Sequence, residues 1–275
     1  MAEGLAEGVP DPDAIARLDT GVPHIARVYD YVLGGKDNFA VDRAAADEFV
    51  KVMPSILLGV REARAFLIRV VRFLTAEAGI RQFLDIGTGL PTTNNTHETA
   101  QRVAPESRIV YVDNDPMVLA HARALLASTP EGACAYLDAD LRDTGNVLRA
   151  ASGLLDFGRP VAVMLIGILH LIPDADDPAG IVARLIAALP AGSWLAVAHP
   201  ASDVAPDKVA TMTDRYNRRV TTAATLRTHA EISAFFARTD LLPPGVVQYH
   251  QWRPGEPARD TEGEVAAYCG VGRKP

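Results

Sequence analysis

Apolar residues recur at helical spacing near the start of the chain, with polar residues between them. One apolar face is formed by Ile25, Val28, Tyr29 and Val32. This spacing predicts a short amphipathic helix that ends at Gly34-Gly35. Asp42 is the predicted N-cap of a second helix, at about 43–52, because Asp side chains accept amide hydrogen bonds at helix starts. Pro54 terminates that helix, since proline cannot continue the backbone ladder.

From residue 61 onward, one strong helix leads into a regular alternation of strands and helices. The stretch "REARAFLIRVVRFLTAEAGI" predicts a helix that is stopped by Gly79, with arginines opposite an apolar face of Phe66, Leu67, Val70, Val71 and Leu74. Predicted strands are Gln82–Ile86, Arg108–Asp113, Ala133–Asp138, Val161–Ile168 and Trp194–Ala198. Predicted helices between them lie at about 94–103, 116–127, 144–151 and 178–189. Alternation of this kind indicates a parallel sheet covered by helices on both faces.

The C-terminal part breaks the alternation. Thr228 and Glu231 form a capping-box pattern at the start of a helix. "GVVQYHQWRP" and "VAAYCGVGRK" predict two strands with only the loop "GEPARDTEG" between them, so they should pair antiparallel. The sequence therefore predicts an α/β fold with a Rossmann-like sheet of seven strands, five parallel plus a C-terminal antiparallel pair. We divide the chain into a flexible N-terminal arm (1–21), a helical extension (22–78) and the sheet domain (79–275).

Composition and charge narrow the classes of function. The chain has 275 residues, 48% of them apolar, and a formal net charge of −7. A negative chain argues against a nucleic-acid partner. No apolar run is long enough to span a bilayer, and the acidic N-terminus does not resemble a secretory signal, so we expect a cytoplasmic protein. Two cysteines, Cys134 and Cys269, give no metal-ligand spacing, and we expect no metal site.

The first strand leads into a glycine turn, "LDIGTG", which is typical of a nucleotide-like ligand. Gly87, Thr88 and Gly89 let the backbone approach a ligand without a Cβ in the way. Asp113 ends the next strand, where a carboxylate can accept hydrogen bonds from two ribose hydroxyls. A dinucleotide turn needs a third glycine, which this sequence lacks. Asp85 repels phosphates but suits an amino-acid ammonium, directly or through water, so S-adenosylmethionine fits better; Asp85 could instead cap the helix amides.

These motifs resemble those of class I S-adenosylmethionine-dependent methyltransferases. "LDIGTG", "VYVDNDP", "LDADLRD" and "MLIGILHLIPD" are similar to the first four motifs of that class, in order. The resemblance implies a class I methyltransferase sheet and S-adenosylmethionine as cofactor. It places Asp140 and Leu141 at the adenine, with Asp138 as the alternative to Asp140, and adds Asn114 and Ile166 to the cofactor site. Asp115, before Pro116, is interpreted as a helix N-cap rather than a ligand group.

A narrower resemblance covers residues from about 22 to the end. "RVYDYVLGGKDNFAVDR", "LDIGTGLPTTNNTHE", "RTHAEISAFF" and "QWRP" are similar to a bacterial family described as S-adenosyl methyltransferase. Pro91 departs from the broad class I pattern, in which glycine is commoner there, but it is similar to the narrower family.

The segment "GGKDNF" and the residues after the glycine turn each have two interpretations. Tyr31, Gly34, Asn38 and Phe39 could form a lid over the methionine end of the cofactor. Alternatively, the glycines end a helix, Lys36 and Asp37 face solvent and Phe39 packs inward. Candidates for the carboxylate pocket are Asn94, Asn95 and His97, for which a capping or surface role is an equal alternative.

No residue is assigned firmly to catalysis. His170 and His199 follow strands four and five, where a histidine could accept a proton from an attacking hydroxyl or amine, or could only shape the pocket. Tyr216, Asn217 and Arg218 lie in an insertion where class I enzymes build substrate contacts. We expect methyl transfer to a small-molecule acceptor by in-line SN2 displacement. A cofactor-binding sensor or degenerate methyltransferase is the alternative, and a nicotinamide-dependent oxidoreductase is the third hypothesis.

Overall fold

A computed structural model describes residues 20–125, 127–220, 222–254 and 265–275 of the chain. Most of the predicted arm at 1–21, and the loop predicted at 255–263, lie outside these residues.

Three helices precede the sheet: α1 (Ile25–Val32), α2 (Ala40–Val52) and α3 (Ile56–Ala76). The first ends before Gly34, which has φ of +83°, and the third ends before Gly79, which has φ of +71°. Left-handed residues of this kind stop a helix, and glycine adopts the conformation without strain.

The predicted N-cap of α2 is wrong. The helix begins at Ala40, with Phe39 at the N-cap position, and Asp42 is its third residue. The Asp42 carboxylate is fully buried and accepts hydrogen bonds from the Phe39 amide at 2.8 Å and from Arg27 Nε at 2.9 Å. Arg27 fixes Asp42 through a contact between α1 and α2, and spacing along one helix does not reveal such a contact.

Five parallel strands alternate with helices, as the sequence predicts. The strands are β1 (Gln82–Ile86), β2 (Arg108–Asp113), β3 (Ala133–Asp138), β4 (Ala162–Ile166) and β5 (Trp194–Pro200). The helices between them are α4 (Thr96–Gln101), α5 (Pro116–Leu125), α6 (Thr144–Ala151) and α7 (Pro178–Ala187). Strand β4 is shorter than the predicted Val161–Ile168 because Gly167 takes φ of +76° and the 3₁₀ turn Leu169–Leu171 follows.

The C-terminal part completes the sheet with antiparallel strands. Its elements are α8 (Pro206–Asn217), α9 (His229–Ala234), β6 (Asp240–Leu241), β7 (Val247–Gln248) and β8 (Ala267–Arg273). The sheet order is β3-β2-β1-β4-β5-β8-β6, and β7 also pairs with β8. Because β5 occupies one edge of β8, the short strands β6 and β7 share the other edge. The eight strands therefore fill seven positions, and the predicted antiparallel pair is confirmed, as is the capping box of Thr228 and Glu231.

Two apolar cores cover the two faces of the sheet. Neighbouring β1 residues Phe83 and Leu84 point to opposite faces and join different cores. Helix α3 packs Phe66 and Val70 on the Phe83 side, and α7 packs Leu185 on the Leu84 side. Among the described residues, no helix is long and apolar enough to cross a membrane.

A separate apolar cluster joins the N-terminal helices to α8. Val28 of α1, Phe49 of α2 and Tyr216 of α8 are buried together, and the rings of Phe49 and Tyr216 lie 5.5 Å apart. Arg219, just after α8, forms an ion pair with Glu48 of α2. These contacts hold the predicted extension over the carboxyl edge of the sheet, where open α/β folds bind ligands.

Candidate functional site

The glycine turn after β1 is shaped by two left-handed residues. Gly87 has φ of +74° and Gly89 has φ of +63°. A Cβ at Gly87 would lie 2.5 Å from the side chain of Ile168, so the turn after β1 fits closely against the turn after β4. A Cβ at Gly89 would have no atom within 4 Å. The first glycine is therefore needed for packing and conformation, and the second for conformation alone.

Asp113 ties this turn to the end of β2. Its Oδ2 accepts a hydrogen bond from the Gly89 amide at 3.0 Å, and its Oδ1 accepts one from the Asp115 amide at 3.0 Å. Burial raises the pKa of the Asp113 carboxyl. Asp115 itself accepts a hydrogen bond from the Met117 amide at 2.7 Å at the start of α5, so its predicted N-cap role is confirmed.

A cavity of about 410 Å³ opens over the turn and brings most of the predicted site together. The predicted residues that line it are Gly87, Thr88, Gly89, Asp113, Asn114, Asp140, Leu141, Ile166 and His170. The glycine turn and the ends of β2 and β3 form what we call the turn end of the cavity. Side chains of α1, α2, α3 and α8 form the opposite side, which we call the helix end; Tyr216 is among them.

The predicted lid residues have other partners. Tyr31 donates its hydroxyl proton to Asp47 at 3.2 Å, and Asn38 donates its amide to Asp30 at 2.8 Å. Gly34 ends α1 with positive φ. Phe39 packs against the cluster of Leu90, Met117 and Val118, which agrees with the inward-packing alternative. None of Tyr31, Gly34, Asn38 and Phe39 lines the cavity, so their assignment to the cofactor stays a prediction.

Asp85 lies beneath the turn and outside the cavity lining. Thr96 Oγ1 donates to its Oδ2 at 2.6 Å. Burial raises the pKa of Asp85 to about 6, although the Thr96 hydrogen bond and the charge of Arg64 oppose that shift. The ionised carboxylate is therefore a poorly solvated negative charge near the end of β1, two residues before Gly87.

The residues proposed for a carboxylate pocket are held by the protein itself. Asn95 accepts hydrogen bonds from the Thr92 amide and from Arg64 Nη2, each at 3.1 Å. The His97 amide donates to the Tyr111 hydroxyl at 2.8 Å. The side chains of Asn95 and His97 lie outside the cavity lining, and their assignment to a carboxylate pocket stays a prediction. Asn95 occupies the N-cap of α4, in agreement with the capping alternative, whereas His97 is buried, so the surface alternative is wrong for it.

Sequence reasoning missed Arg64. This residue of α3 lines the cavity near the turn, although the arginines of that helix were expected on its polar face. Its Nη2 donates to the Thr93 carbonyl at 2.7 Å, but its Nε is buried and has no hydrogen-bond partner among the described residues. Burial lowers the pKa of Arg64. Helical spacing was the signal that could have found it. Arg64 falls on the same face of α3 as Val60, Ala63 and Leu67, and this face lines the cavity.

The two candidate histidines differ in position. His170 lines the cavity, and its buried Nδ1 has no hydrogen-bond partner in the described part of the chain. Burial, with the charges of His199 and Arg227, lowers the pKa of His170 to about 3. His199 lies outside the lining, with Nδ1 2.8 Å from the Pro200 carbonyl oxygen and Nε2 2.9 Å from Arg227 Nη1. Burial lowers the pKa of His199 to about 4, and its ring has a structural role beside Arg227.

Comparison with known families decides the assignment. A family model described as S-adenosyl methyltransferase matches residues 12–275, which is most of the chain. The chain belongs to the S-adenosyl methyltransferase family. It is a methyltransferase that depends on S-adenosylmethionine.

Two solved structures share this methyltransferase's fold over nearly their whole length. A protein of the DUF574 family from Streptomyces avermitilis is 47% identical with a TM-score of 0.91, and the match covers 94% of this chain and 100% of that one. A candidate methyltransferase from Thermobifida fusca is 42% identical with a TM-score of 0.85, covering 96% and 98% of the two chains. A search of curated proteins finds no match.

The residues of the turn end fit S-adenosylmethionine. Gly87 and Gly89 give the turn its left-handed backbone at the cavity, Asp113 presents a buried carboxylate, and Arg64 has an unpaired buried nitrogen. A nucleoside with an amino-acid tail needs acceptors for its hydroxyls and a cation for its carboxylate. Within the described ranges, no group of three His, Cys, Asp or Glu residues could hold a metal ion.

Proposed function

We propose that this methyltransferase methylates a small molecule, and that it does so by holding acceptor and cofactor in one cavity rather than by base catalysis. The observation that supports this most is the continuity of the cavity. It joins Gly87, Gly89 and Asp113 at the turn end to Met212 and Tyr216 at the helix end. Alignment of two reactants in a water-poor site can supply most of the rate of such a transfer.

At the turn end, we assign a side chain to each part of the cofactor. Asp113 would accept hydrogen bonds from the ribose hydroxyls, and Leu141 would pack on the adenine. Asp140 would accept from the adenine amino group; its carboxylate now accepts from the Arg142 amide at 2.8 Å and from Arg142 Nη1 at 2.9 Å. When bound, the cofactor supplies a methyl group activated by a sulfonium for in-line displacement.

The amino-acid tail would lie between Arg64 and the turn. The Arg64 guanidinium is a cation with unused donors beside the turn, and arginine suits a carboxylate because its planar fork matches two oxygens. Asp85, just beneath, would attract an ammonium, directly or through a water molecule. Arg64 would thus bind the carboxylate of the tail and Asp85 its ammonium, and together they would fix the orientation of the tail.

Removal of the acceptor proton does not require a general base from the protein. His170 faces the cavity, but a pKa of about 3 makes it a weak proton acceptor that stays neutral near pH 7. It can accept a hydrogen bond and orient an acceptor, and the proton can leave to water after the methyl has moved. This arrangement also leaves a cofactor-binding sensor without turnover as the second hypothesis.

Turnover separates the two hypotheses. Purified protein with S-adenosylmethionine should form S-adenosylhomocysteine faster when fractions of a bacterial metabolite extract are added, as measured by mass spectrometry. Asp113→Ala should lower that rate, and Asp138→Ala should not, because the Asp138 side chain is exposed and does not line the cavity. Binding of S-adenosylmethionine with no extract-dependent turnover in any fraction would support the sensor.

A further inference from the structure

We propose that the methyl acceptor is an uncharged, largely apolar molecule with one hydroxyl or amino group, which it presents to His170. This inference rests on the proposed function and names the class of acceptor that the same cavity would take. It depends on three observations: the lining of the helix end, the position of the charged side chains, and the unpaired nitrogen of His170.

Most side chains that line the helix end are apolar. Among them are Val28 of α1, Phe49 of α2, Val60 of α3, Met212 and Tyr216 of α8, and Leu226 after α8. An apolar acceptor would displace water from this surface, at about 25 cal/mol for each Å² that it covers. Methionines such as Met53 and Met212 adapt to irregular ligand shapes because their side chains are unbranched.

The charged side chains of the lining come from the strand ends, from Arg64 of α3 and from the region of α1. Asp113, Asp140 and Arg142 belong to the strand ends, and Arg64 lies beside the turn, where it donates to the Thr93 carbonyl. His24, just before α1, is paired with Asp115 at 2.8 Å, and the carboxylate of Asp30 on α1 accepts from the Asp37 amide and from Asn38.

Of the described lining residues, those from α2, α8 and residues 218–226 include no charged side chain. A carboxylate or ammonium on the acceptor would therefore lose its hydration without gaining a partner there, which is strongly unfavourable.

His170 supplies the polar contact. It lies two residues beyond Ile168, whose side chain packs on the Gly87 position of the turn, and its carbonyl accepts a hydrogen bond at 2.7 Å from the amide of Thr225, the neighbour of Leu226 at the helix end. Burial keeps the ring neutral, and one nitrogen of a neutral ring accepts a hydrogen bond. The Nδ1 atom has no partner within the described ranges, and a hydrogen bond from the O–H or N–H of a bound acceptor would supply one. His170 is thus a positioning residue.

Matched ligand pairs test the class of acceptor. Isothermal calorimetry on protein saturated with S-adenosylhomocysteine would compare 2-naphthol with 6-hydroxy-2-naphthoate, and 1-octanol with octanoate. The uncharged member of each pair should bind at least about tenfold more tightly, since tenfold corresponds to 1.4 kcal/mol. Equal or tighter binding of the carboxylates, or no binding of either uncharged probe at millimolar concentration, would overturn the proposal.

A charge placed at the helix end should weaken or abolish the preference. Met212→Lys adds a cation to the lining, and the ratio of naphthol to naphthoate affinity should fall about tenfold. Thr211→Lys is the matched control, because Thr211 is exposed on the same helix and should leave the ratio unchanged. Both variants should keep the affinity for S-adenosylhomocysteine. If the wild type does not bind that nucleoside, the proposed function fails; if it binds but the ratios do not move, only the acceptor class fails.

A second variant tests His170 separately from packing. His170→Leu should weaken 2-naphthol binding about tenfold and leave naphthalene binding nearly unchanged, because only naphthol donates a hydrogen bond. His170→Gln should restore part of the loss. Equal losses for both ligands would show that the ring only fills space, and no loss for either would remove His170 from acceptor recognition.

Discussion

The two ends of the cavity are built by different means. At the turn end, backbone conformation and short-range contacts set the surface: Gly87 and Gly89 take positive φ, and Asp113 holds the Gly89 amide at 3.0 Å. At the helix end, side chains from four helices meet, as Phe49 of α2 does with Tyr216 of α8. A surface set by backbone conformation suits one ligand, and we propose that this ligand is the cofactor. A surface made of apolar side chains can be changed one residue at a time, which suits acceptor choice.

The largest expected effect is at the most constrained point of the turn end. Gly87→Ala forces a residue with φ of +74° to carry a Cβ 2.5 Å from Ile168. Conformational strain and overpacking together should lower the free energy of unfolding by about 2–5 kcal/mol. Gly89→Ala, which meets no atom within 4 Å, should cost only about 1–2 kcal/mol. Chemical denaturation checks both, and equal losses would mean that the contact with Ile168 does not constrain the turn.

Asp85 should lower stability when it is ionised. Its folded pKa of about 6 is above the ordinary value of 3.8, so ionised Asp85 destabilises the folded state and stability falls as pH rises from about 4 to 6. The shift corresponds to a cost of order 3 kcal/mol at pH 7. Asp85→Asn should recover much of that at pH 7 and little at pH 4, while weakening S-adenosylmethionine binding. A variant less stable at pH 7, or one that binds the cofactor normally, would contradict this role.

Asp113→Ala removes the acceptor that we assign to the ribose. Loss of hydrogen bonds to a buried carboxylate costs about 1.5–3 kcal/mol, so affinity for S-adenosylhomocysteine should fall about 10- to 100-fold. Asp138→Ala is the control, since Asp138 pairs in register with Asp113 but its side chain is exposed. Unchanged affinity in folded Asp113→Ala protein would exclude the ribose role.

Arg64 should give the smallest of these effects. Arg64→Met keeps an unbranched side chain on α3 but removes the cation, and binding of S-adenosylhomocysteine should weaken about tenfold. The ligand itself provides a matched comparison, because adenosine has no carboxylate and should bind the variant and the wild type alike. An equal loss for both ligands would show that Arg64 only supports the turn through Thr93.

The same contrast explains what could be predicted from the sequence. Strands β1 to β3 and the glycine turn were predictable from short stretches of sequence. The signals were the alternation of strands with helices, the glycines of the turn and Asp113 at the end of a strand. Asp42 was assigned wrongly because its partner, Arg27, is on another helix, and Arg64 was missed because the faces of α3 are defined only by what packs on them. Local motifs thus identify the turn end, whereas the helix end depends on tertiary packing.

One titration tests the central claim, that the turn end of this cavity binds S-adenosylmethionine. S-adenosylhomocysteine titrated into the purified protein should give one-site binding with a dissociation constant of order micromolar. NADH titrated under the same conditions should give no heat. No binding of S-adenosylhomocysteine at millimolar concentration, or displacement of it by NADH, would contradict the account.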